Sequence, residues 1–232
     1  MKNFAFIFAR GGSKGLPGKN IKKLAGKPLL QYSIDSAKQT PSVSEVFVST
    51  DDIAIKQCAL EAGAKVIDRP IELAGDQSPE WLAWRHAIEW VSEHYGAFDN
   101  FISLPATSPL RAVKDIEAAL EKRASVNADI CISVTPSSRS PFFNMIKMDE
   151  AGFAELVIRP SGEVSRRQDS PDVFDITTVV YVAQPDFIIN SYGLFSGKVT
   201  SVVIPKERAV DIDDIYDFYM AEVLIKLKNK EH

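Results

Sequence analysis

The residues best suited to chemistry lie in one early stretch, Arg10-Gly-Gly-Ser13-Lys-Gly-Leu-Pro-Gly-Lys19-Asn20. Glycines let backbone N–H groups approach anionic oxygens, and the cations neutralise a polyphosphate. The first 34 residues hold seven basic side chains and no acidic one, in a chain of net charge −4, so the positive charge here is local. The stretch follows the apolar run Phe4-Ala-Phe-Ile-Phe8, which reads as a buried strand emptying into a phosphate-holding loop. A second pair, Asp211 and Asp213, stands near the C-terminus. One residue apart in extended chain, the two carboxylates point the same way, which suits a shared Mg2+; capping of the following helix is the competing reading. Asp51 reads as a cap for the helix after it. Lys22, Lys23 and Lys27 read as a solvated face.

Two common glycine loops do not fit. A P-loop requires Gly-Lys followed by Ser or Thr, with another Gly five positions before. Here Gly18-Lys19 is followed by Asn20, and Ser13 stands where that Gly belongs. The dinucleotide fingerprint needs Gly-x-Gly on a tight turn into a helix, and the loop contains no Gly-x-Gly. An ATPase motor and a nicotinamide-dependent dehydrogenase are both disfavoured.

The elements that must position these residues alternate. Strands are expected at 3–9, 45–49, 64–67, 98–104 and 129–134, with helices at 28–38, 53–62, 79–95 and 113–124. Pro28 is expected in the first turn of its helix. In the third helix Trp81, Trp84, Ile88, Val91 and Tyr95 recur at threes and fours and form one core-facing stripe. His86 and His94 take surface or packing roles. Residues 135–178 break the rhythm and read as a β-rich excursion with exposed apolar side chains, a partner surface. Strands at 178–183 and 200–204 and a helix at 213–228 close a single domain, 1–232. The fold class is α/β: a three-layer α/β/α arrangement, Rossmann-like and GT-A-like, with a mostly parallel central sheet and ligands at the strand carboxyl ends.

Composition narrows the function. At 45% hydrophobic and 25% charged, with more acidic than basic residues, the chain is no general nucleic-acid binder. Cys58 and Cys131 lack metal-type spacing and read as reduced core thiols of a cytoplasmic protein. The apolar run at residues 4–9 is too short for a membrane span.

Arg10, Ser13 and Lys19, in the order Ala-Arg-x-x-Ser-Lys-x-Leu-Pro-x-Lys-Asn, resemble the signature of sugar nucleotidyltransferases. The closest resemblance is to the CMP-acylneuraminate synthetases (acylneuraminate cytidylyltransferases). Further matches follow in order: Ser49-Thr-Asp51, Arg69-Pro-Ile-Glu-Leu-Ala74 with Asp76, Thr107-Ser108-Pro-Leu-Arg111, Arg167-Gln168 and Asp211-Ile-Asp213. The resemblance implies a nucleotidyltransferase that moves CMP from CTP to the anomeric hydroxyl of a sialic-acid-like 2-keto-3-deoxy sugar acid, releasing pyrophosphate. It implies catalytic roles for Arg10, Lys19 and Asp211. Arg10, Gly11, Gly12, Ser13, Lys19, Asn20, Arg69 and Asp76 would hold the nucleotide, with the Gly11 and Gly12 N–H groups on the β- and γ-phosphates. Asp211 and Asp213 would hold Mg2+. Thr107, Ser108 and Arg111 would border the sugar, and Arg166, Arg167, Gln168 and Asp175 would also serve it. In that family the excursion reaches across a homodimer toward the neighbouring site.

The sugar side departs from the family pattern. Leu-Gln-Pro-Thr-Ser-Pro is here Leu104-Pro105-Ala106-Thr107-Ser108-Pro109, and Arg-x-Asn-Gly is Asp175-Ile-Thr177-Thr178. Exchanging Arg for Asp inverts the local field, so the acceptor need not be N-acetylneuraminate. Another nonulosonic acid and an eight-carbon 3-deoxy-octulosonate are alternatives. A silent nucleotide-sugar-binding regulator on the same fold has little reason to keep metal carboxylates. A GT-A glycosyltransferase shares the architecture but has no long basic loop after its first strand.

Overall fold

Alternation within the first strand sets the layering. In β1 (Asn3–Phe8), Ala5 and Ile7 enter one core while Phe4 and Phe6 enter another, as a period of two requires. The structure, a computed structural model, describes residues 1–12, 14–159 and 166–228. After β1 come a small hairpin of β2 (Lys23–Leu24) and β3 (Lys27–Pro28), then α1 (Leu29–Gln39), β4 (Glu45–Thr50), α2 (Ile53–Glu61) and β5 (Lys65–Asp68). Next are α3 (Glu80–Tyr95), β6 (Asn100–Ser103), α4 (Val113–Ser125) and β7 (Ile130–Pro136). A second hairpin, β8 (Ile146–Met148) with β9 (Ala154–Leu156), precedes β10 (Phe174–Ala183), α5 (Pro185–Asn190), β11 (Val199–Val203) and α6 (Ile215–Lys228).

The seven-stranded sheet has the order β11-β7-β10-β6-β1-β4-β5. Only β10 runs antiparallel to its neighbours; the other pairings are parallel. Helices α1, α2 and α4 cover one face through Leu30, Ile34, Ile55 and Ile116. The other face is aromatic: Phe4, Phe6, Phe47 and Phe101 pack under Trp84, Ile88 and Val91 of α3. Trp81 is half-buried and donates its indole N–H to the carbonyls of Ile188 (3.2 Å) and Ser191 (2.8 Å). Tyr95 leaves the expected stripe: it is exposed at the helix end, with its ring edge-on to Phe47.

Several boundaries differ from expectation, three of them for evident local reasons. Pro28 precedes α1 with extended backbone, because it pairs with Lys23 in the small hairpin. Asp213 stands two residues before α6, leaving Asp211 and Asp213 outside the helix. The strand expected at 178–183 begins at Phe174, since Phe174, Asp175 and Ile176 pair with Pro136, Thr135 and Val134. The excursion from the sheet is therefore 137–173. A register shift between Thr177 and Tyr181 marks a bulge in β10, the kind of irregularity that re-aims side chains.

A third apolar cluster ties down the functional loops. Leu16 of the basic loop, Leu24, Leu110, Ile212 and the inner face of α6 (Phe218, Ala221, Ile225) are buried together. No helix among the described residues is long and apolar enough to cross a membrane.

Candidate active site

Chain direction diverges on either side of β1: α1 leads to β4 on one flank, while β6 lies on the other. Such a switch opens a crevice at the strand carboxyl ends. There lies a cavity of about 530 Å³ walled by the basic loop, the segment after β5, the loop after β6 and the Asp211–Asp213 strip.

On one rim, Arg10 Nη2 pairs with Asp76 at 2.8 Å while Nη1 donates to the Ala74 carbonyl at 3.2 Å. Lys14 Nζ meets the other oxygen of Asp76 at 2.7 Å. The hydrogen bond from Lys14, with the charge of Arg10, holds the Asp76 carboxyl below the usual carboxylate range. Also in the wall, Lys19 Nζ donates to the Ile212 carbonyl at 2.8 Å and lies 3.4 Å from Asp213 Oδ1. Asn20 is buried and donates to the Arg10 carbonyl at 3.0 Å, fixing the loop's first turn. Arg69 lies deep in the cavity, bonded to Ser49 Oγ (3.1 Å) and the Ser49 carbonyl (2.8 Å), with its guanidinium over the Phe8 ring. Burial lowers its pKa, opposed by Asp51 and Glu80.

Several expected roles change. Asp52, not Asp51, caps α2, its carboxylate accepting from the Ile55 N–H at 2.8 Å. Asp51 instead accepts from the Gly11 N–H at 3.1 Å, so that donor is already engaged rather than presented to a phosphate. Gly11 also passes too close to α2 for a side chain: a Cβ would stand 2.8 Å from Asp52 Oδ2. Gly12 is exposed, outside the cavity wall, with open space around its Cα. Ser13 lies outside the described residues. Lys27 pairs with Asp35 at 2.6 Å instead of standing free.

The sugar-side residues divide as well. Thr107 lines the cavity, and its carbonyl accepts from the Ile212 N–H at 2.9 Å. Ser108 is fully buried, 2.7 Å from the Thr178 hydroxyl, and does not reach the cavity. Arg111 points into the protein. It donates to the carbonyls of Val179, Pro105 (2.8 Å) and Thr178 (3.4 Å) and to Ser33 Oγ (2.9 Å), pinning the loop after β6 to β10. Burial lowers its pKa, opposed by the charge of Asp115, and carbonyls and a hydroxyl take its hydrogen bonds. Asp175 is exposed opposite Thr135, and Gln168 lines a separate hollow with Ser137 and Asp172, so neither lines the cavity. Arg166 is exposed and pairs with Asp169 at 3.1 Å. Arg167 opens a single 3-10 turn, and its side chain is outside those described.

The family model described as cytidylyltransferase matches residues 4–142, which include the basic loop, Arg69 and Thr107. The chain belongs to the cytidylyltransferase family. Post-translational flagellin modification protein B of Campylobacter coli is 33% identical over 225 residues, covering 96% of this chain and 94% of that one. CMP-N,N'-diacetyllegionaminic acid synthase of Campylobacter jejuni is 32% identical over 225 residues, with the same shares covered. The solved structure of CMP:2-keto-3-deoxy-manno-octonic acid synthetase complexed with CTP superimposes with a TM-score of 0.75. It is 18% identical and covers 98% of this chain and 100% of that one, which shows the shared fold.

The cytidylyltransferase cavity holds further residues to which the sequence alone assigned no role: Lys14, Gly15, Ser78, Glu80, Thr178 and Tyr181. A Cβ on Gly15 would collide with the Asp213 carbonyl, so only glycine lets the loop touch the carboxylate strip. Glu80 is open to the cavity yet ringed by protein, and this desolvation raises its carboxyl pKa. The buried Tyr181 phenol is raised too, by desolvation and then by Glu80 and Asp211. Asp211 is raised chiefly by desolvation, with the Thr107 and Thr178 hydroxyls pulling the other way. Its Oδ1 is buried and has no hydrogen-bond partner among the described residues. An orphaned carboxylate oxygen beside Asp213 fits a divalent cation. Among the described residues no group of three or more potential protein ligands forms, so the remaining ligands would come from substrate and water, as Mg2+ commonly requires.

Proposed function

We propose that the enzyme transfers CMP from CTP to the anomeric hydroxyl of a nonulosonic acid and releases pyrophosphate. The observation that carries this reading is the meeting of Lys19 with the Asp211–Asp213 strip in the one cavity that Arg10 and Lys14 also line. In-line attack on the α-phosphate needs little covalent help: positioning and charge neutralisation dominate. Arg10 and Lys14, now neutralised by Asp76, exchange that carboxylate for triphosphate oxygens. Lys19 stabilises charge at the α-phosphate and the leaving oxygen. Arg69, held rigidly by Ser49, supports the base or ribose. Asp211 and Asp213 would hold Mg2+, which supplies Lewis-acid neutralisation of phosphate oxygens when bound. Thr107, with Pro105 and Ala106 of the same wall, borders the acceptor.

The acceptor class rests on the family and on the relative named for N,N'-diacetyllegionaminic acid. We further propose a homodimer in which the excursion carries Arg166, Arg167 and Gln168, and the adjoining start of β10 carries Asp175, to the neighbouring cavity. This is supported by the position of Arg166, Gln168 and Asp175 away from their own cavity. The apolar side chains of Met148, Phe153, Phe174 and Ile176, exposed on or beside the excursion, point the same way. Two free cysteines and no membrane-crossing helix among the described residues support a cytoplasmic site of action. Pyrophosphate release measured with CTP, UTP, GTP and ATP tests the nucleotide assignment. Release is expected with CTP, and preference for any other nucleotide overturns it.

A further inference from the structure

Helix α6 is apolar on two opposite faces. Its inner face, Phe218, Ala221 and Ile225, is buried against the basic loop. Its outer face carries Tyr216, Met220, Val223 and Leu227, spaced by four, three and four residues, with Tyr219 beside them. Tyr216 is 77% exposed, and Leu227, Val223, Tyr219 and Met220 are 52%, 55%, 58% and 59% exposed. An apolar stripe on a helix packs against a partner, and residues at these spacings share one face. Among the described residues this outer stripe therefore lacks a covering.

The order of the stripe indicates what covers it. Tyr216 and Leu227 are equidistant from a point between Ala221 and Glu222, and so are Met220 and Val223. The stripe is palindromic in position, as a two-fold interface between identical antiparallel helices demands. Charge follows the same rule: Asp214 and Asp217 lie at the first end, Lys226 and Lys228 at the last. Antiparallel pairing sets each acidic end beside the other copy's basic end and opposes the two helix dipoles. Beside the stripe is a hollow of about 330 Å³ lined by Leu110, Leu224 and Leu227, with Glu207, Arg208 and Lys228 at its edge; antiparallel pairing would bring the other copy's Tyr216 to it.

We propose that α6 is a two-fold interface with a second copy of this chain, in which Tyr216 of each copy enters the Leu110–Leu224–Leu227 hollow of the other. This surface is separate from the excursion and does not depend on its role. The test is particle mass by light scattering for the full chain and for Val223→Glu, which places a carboxylate near its own image at the two-fold axis. The expected result is that the variant loses at least half the wild-type mass, whether or not the excursion also pairs. Equal masses for the two overturn the proposal. A second measurement guards against a misfolded variant. Tyr216→Cys and Leu227→Cys chains, each also carrying Cys58→Ser, are mixed and oxidised. Antiparallel pairing gives a disulfide-linked dimer on mixing and none from Tyr216→Cys alone, whose two sulfurs would lie roughly 16 Å apart along the helix. Cross-linking of Tyr216→Cys alone, or none on mixing, contradicts it.

Discussion

Lys19 Nζ donates a 2.8 Å hydrogen bond to the carbonyl of Ile212, 193 residues further along the chain. The bond joins the basic loop to the strip bearing Asp211 and Asp213, and Leu16 and Ile212 share the apolar cluster beneath it. The cations of the loop and the carboxylates of the strip, proposed to hold phosphate and metal, are thus positioned by one another.

Removing either side of this junction should cost turnover more than stability. Lys19→Ala and Asp211→Ala are each expected to lower kcat for CMP transfer by more than about tenfold with the circular dichroism spectrum unchanged. Chelation by EDTA should abolish turnover and added Mg2+ should restore it. Near-normal transfer by either variant refutes the role given to that residue.

The Gly15 contact with the Asp213 carbonyl makes a sharper test, because two neighbouring glycines should behave oppositely. Gly15→Ala forces the loop off the carboxylate strip and should lower kcat/KM for CTP by roughly tenfold or more. Gly12→Ala meets nothing within 4 Å and should stay within about twofold, since the backbone N–H is retained. Steady-state kinetics of the two variants side by side give the answer.

Arg111 is a brace and should behave as one. Arg111→Lys cannot reproduce the planar fan of bonds to Val179, Pro105, Thr178 and Ser33, so buried acceptors lose their donor. A loss of about 3 kcal/mol is expected, seen as a fall in Tm of roughly 10 °C. A variant with wild-type Tm but a raised KM for the acceptor would return Arg111 to the sugar pocket.

The buried Asp115 is paired directly with Arg208, with the charge of Arg111 nearby. Arg208 holds both its oxygens, at 2.8 and 3.0 Å, while the Ala112 N–H donates to it at the start of α4. Arg208→Ala strands that carboxylate and should destabilise the fold by about 3–5 kcal/mol, measured by urea unfolding. The double variant with Asp115→Asn should recover part of the loss.

Neither cysteine should react readily in the folded enzyme. Burial pushes the Cys131 thiol up to about 12, and burial with Glu61 nearby raises Cys58. The thiolate is the reactive form, so raised values mean less of it at neutral pH and more only as pH rises toward them. Alkylation at pH 8 should be slow until the chain is unfolded in denaturant, and stoichiometric labelling of Cys131 in the native enzyme contradicts this.

Much of the architecture was readable because it rests on local pattern. The apolar run before Arg10 and the three-and-four spacing of Trp84, Ile88 and Val91 each encode their own element. Other features depend on distant partners. Nothing near Arg111 distinguishes a guanidinium aimed at a substrate from one aimed at the back of β10. Gly15 gains its meaning only from the Asp213 carbonyl, and Glu80 and Tyr181 only from the cavity that α3 and β10 enclose together. The early start of β10 was hidden because Phe174, Asp175 and Ile176 are exposed and polar-flanked, and their strand character comes from pairing with β7. Asp51 and Asp52 differ by one position, which sends one to Gly11 and the other to the helix.

The central claim is tested most directly by the mass of the product. The full chain is incubated with CTP, Mg2+ and, separately, N-acetylneuraminate, N,N'-diacetyllegionaminate, a deaminated nonulosonate and 3-deoxy-octulosonate. The account predicts a CMP-sugar ion with at least one nonulosonic acid, accompanied by equimolar pyrophosphate. A CMP-sugar ion with the eight-carbon acid alone, or none with any acceptor, contradicts it.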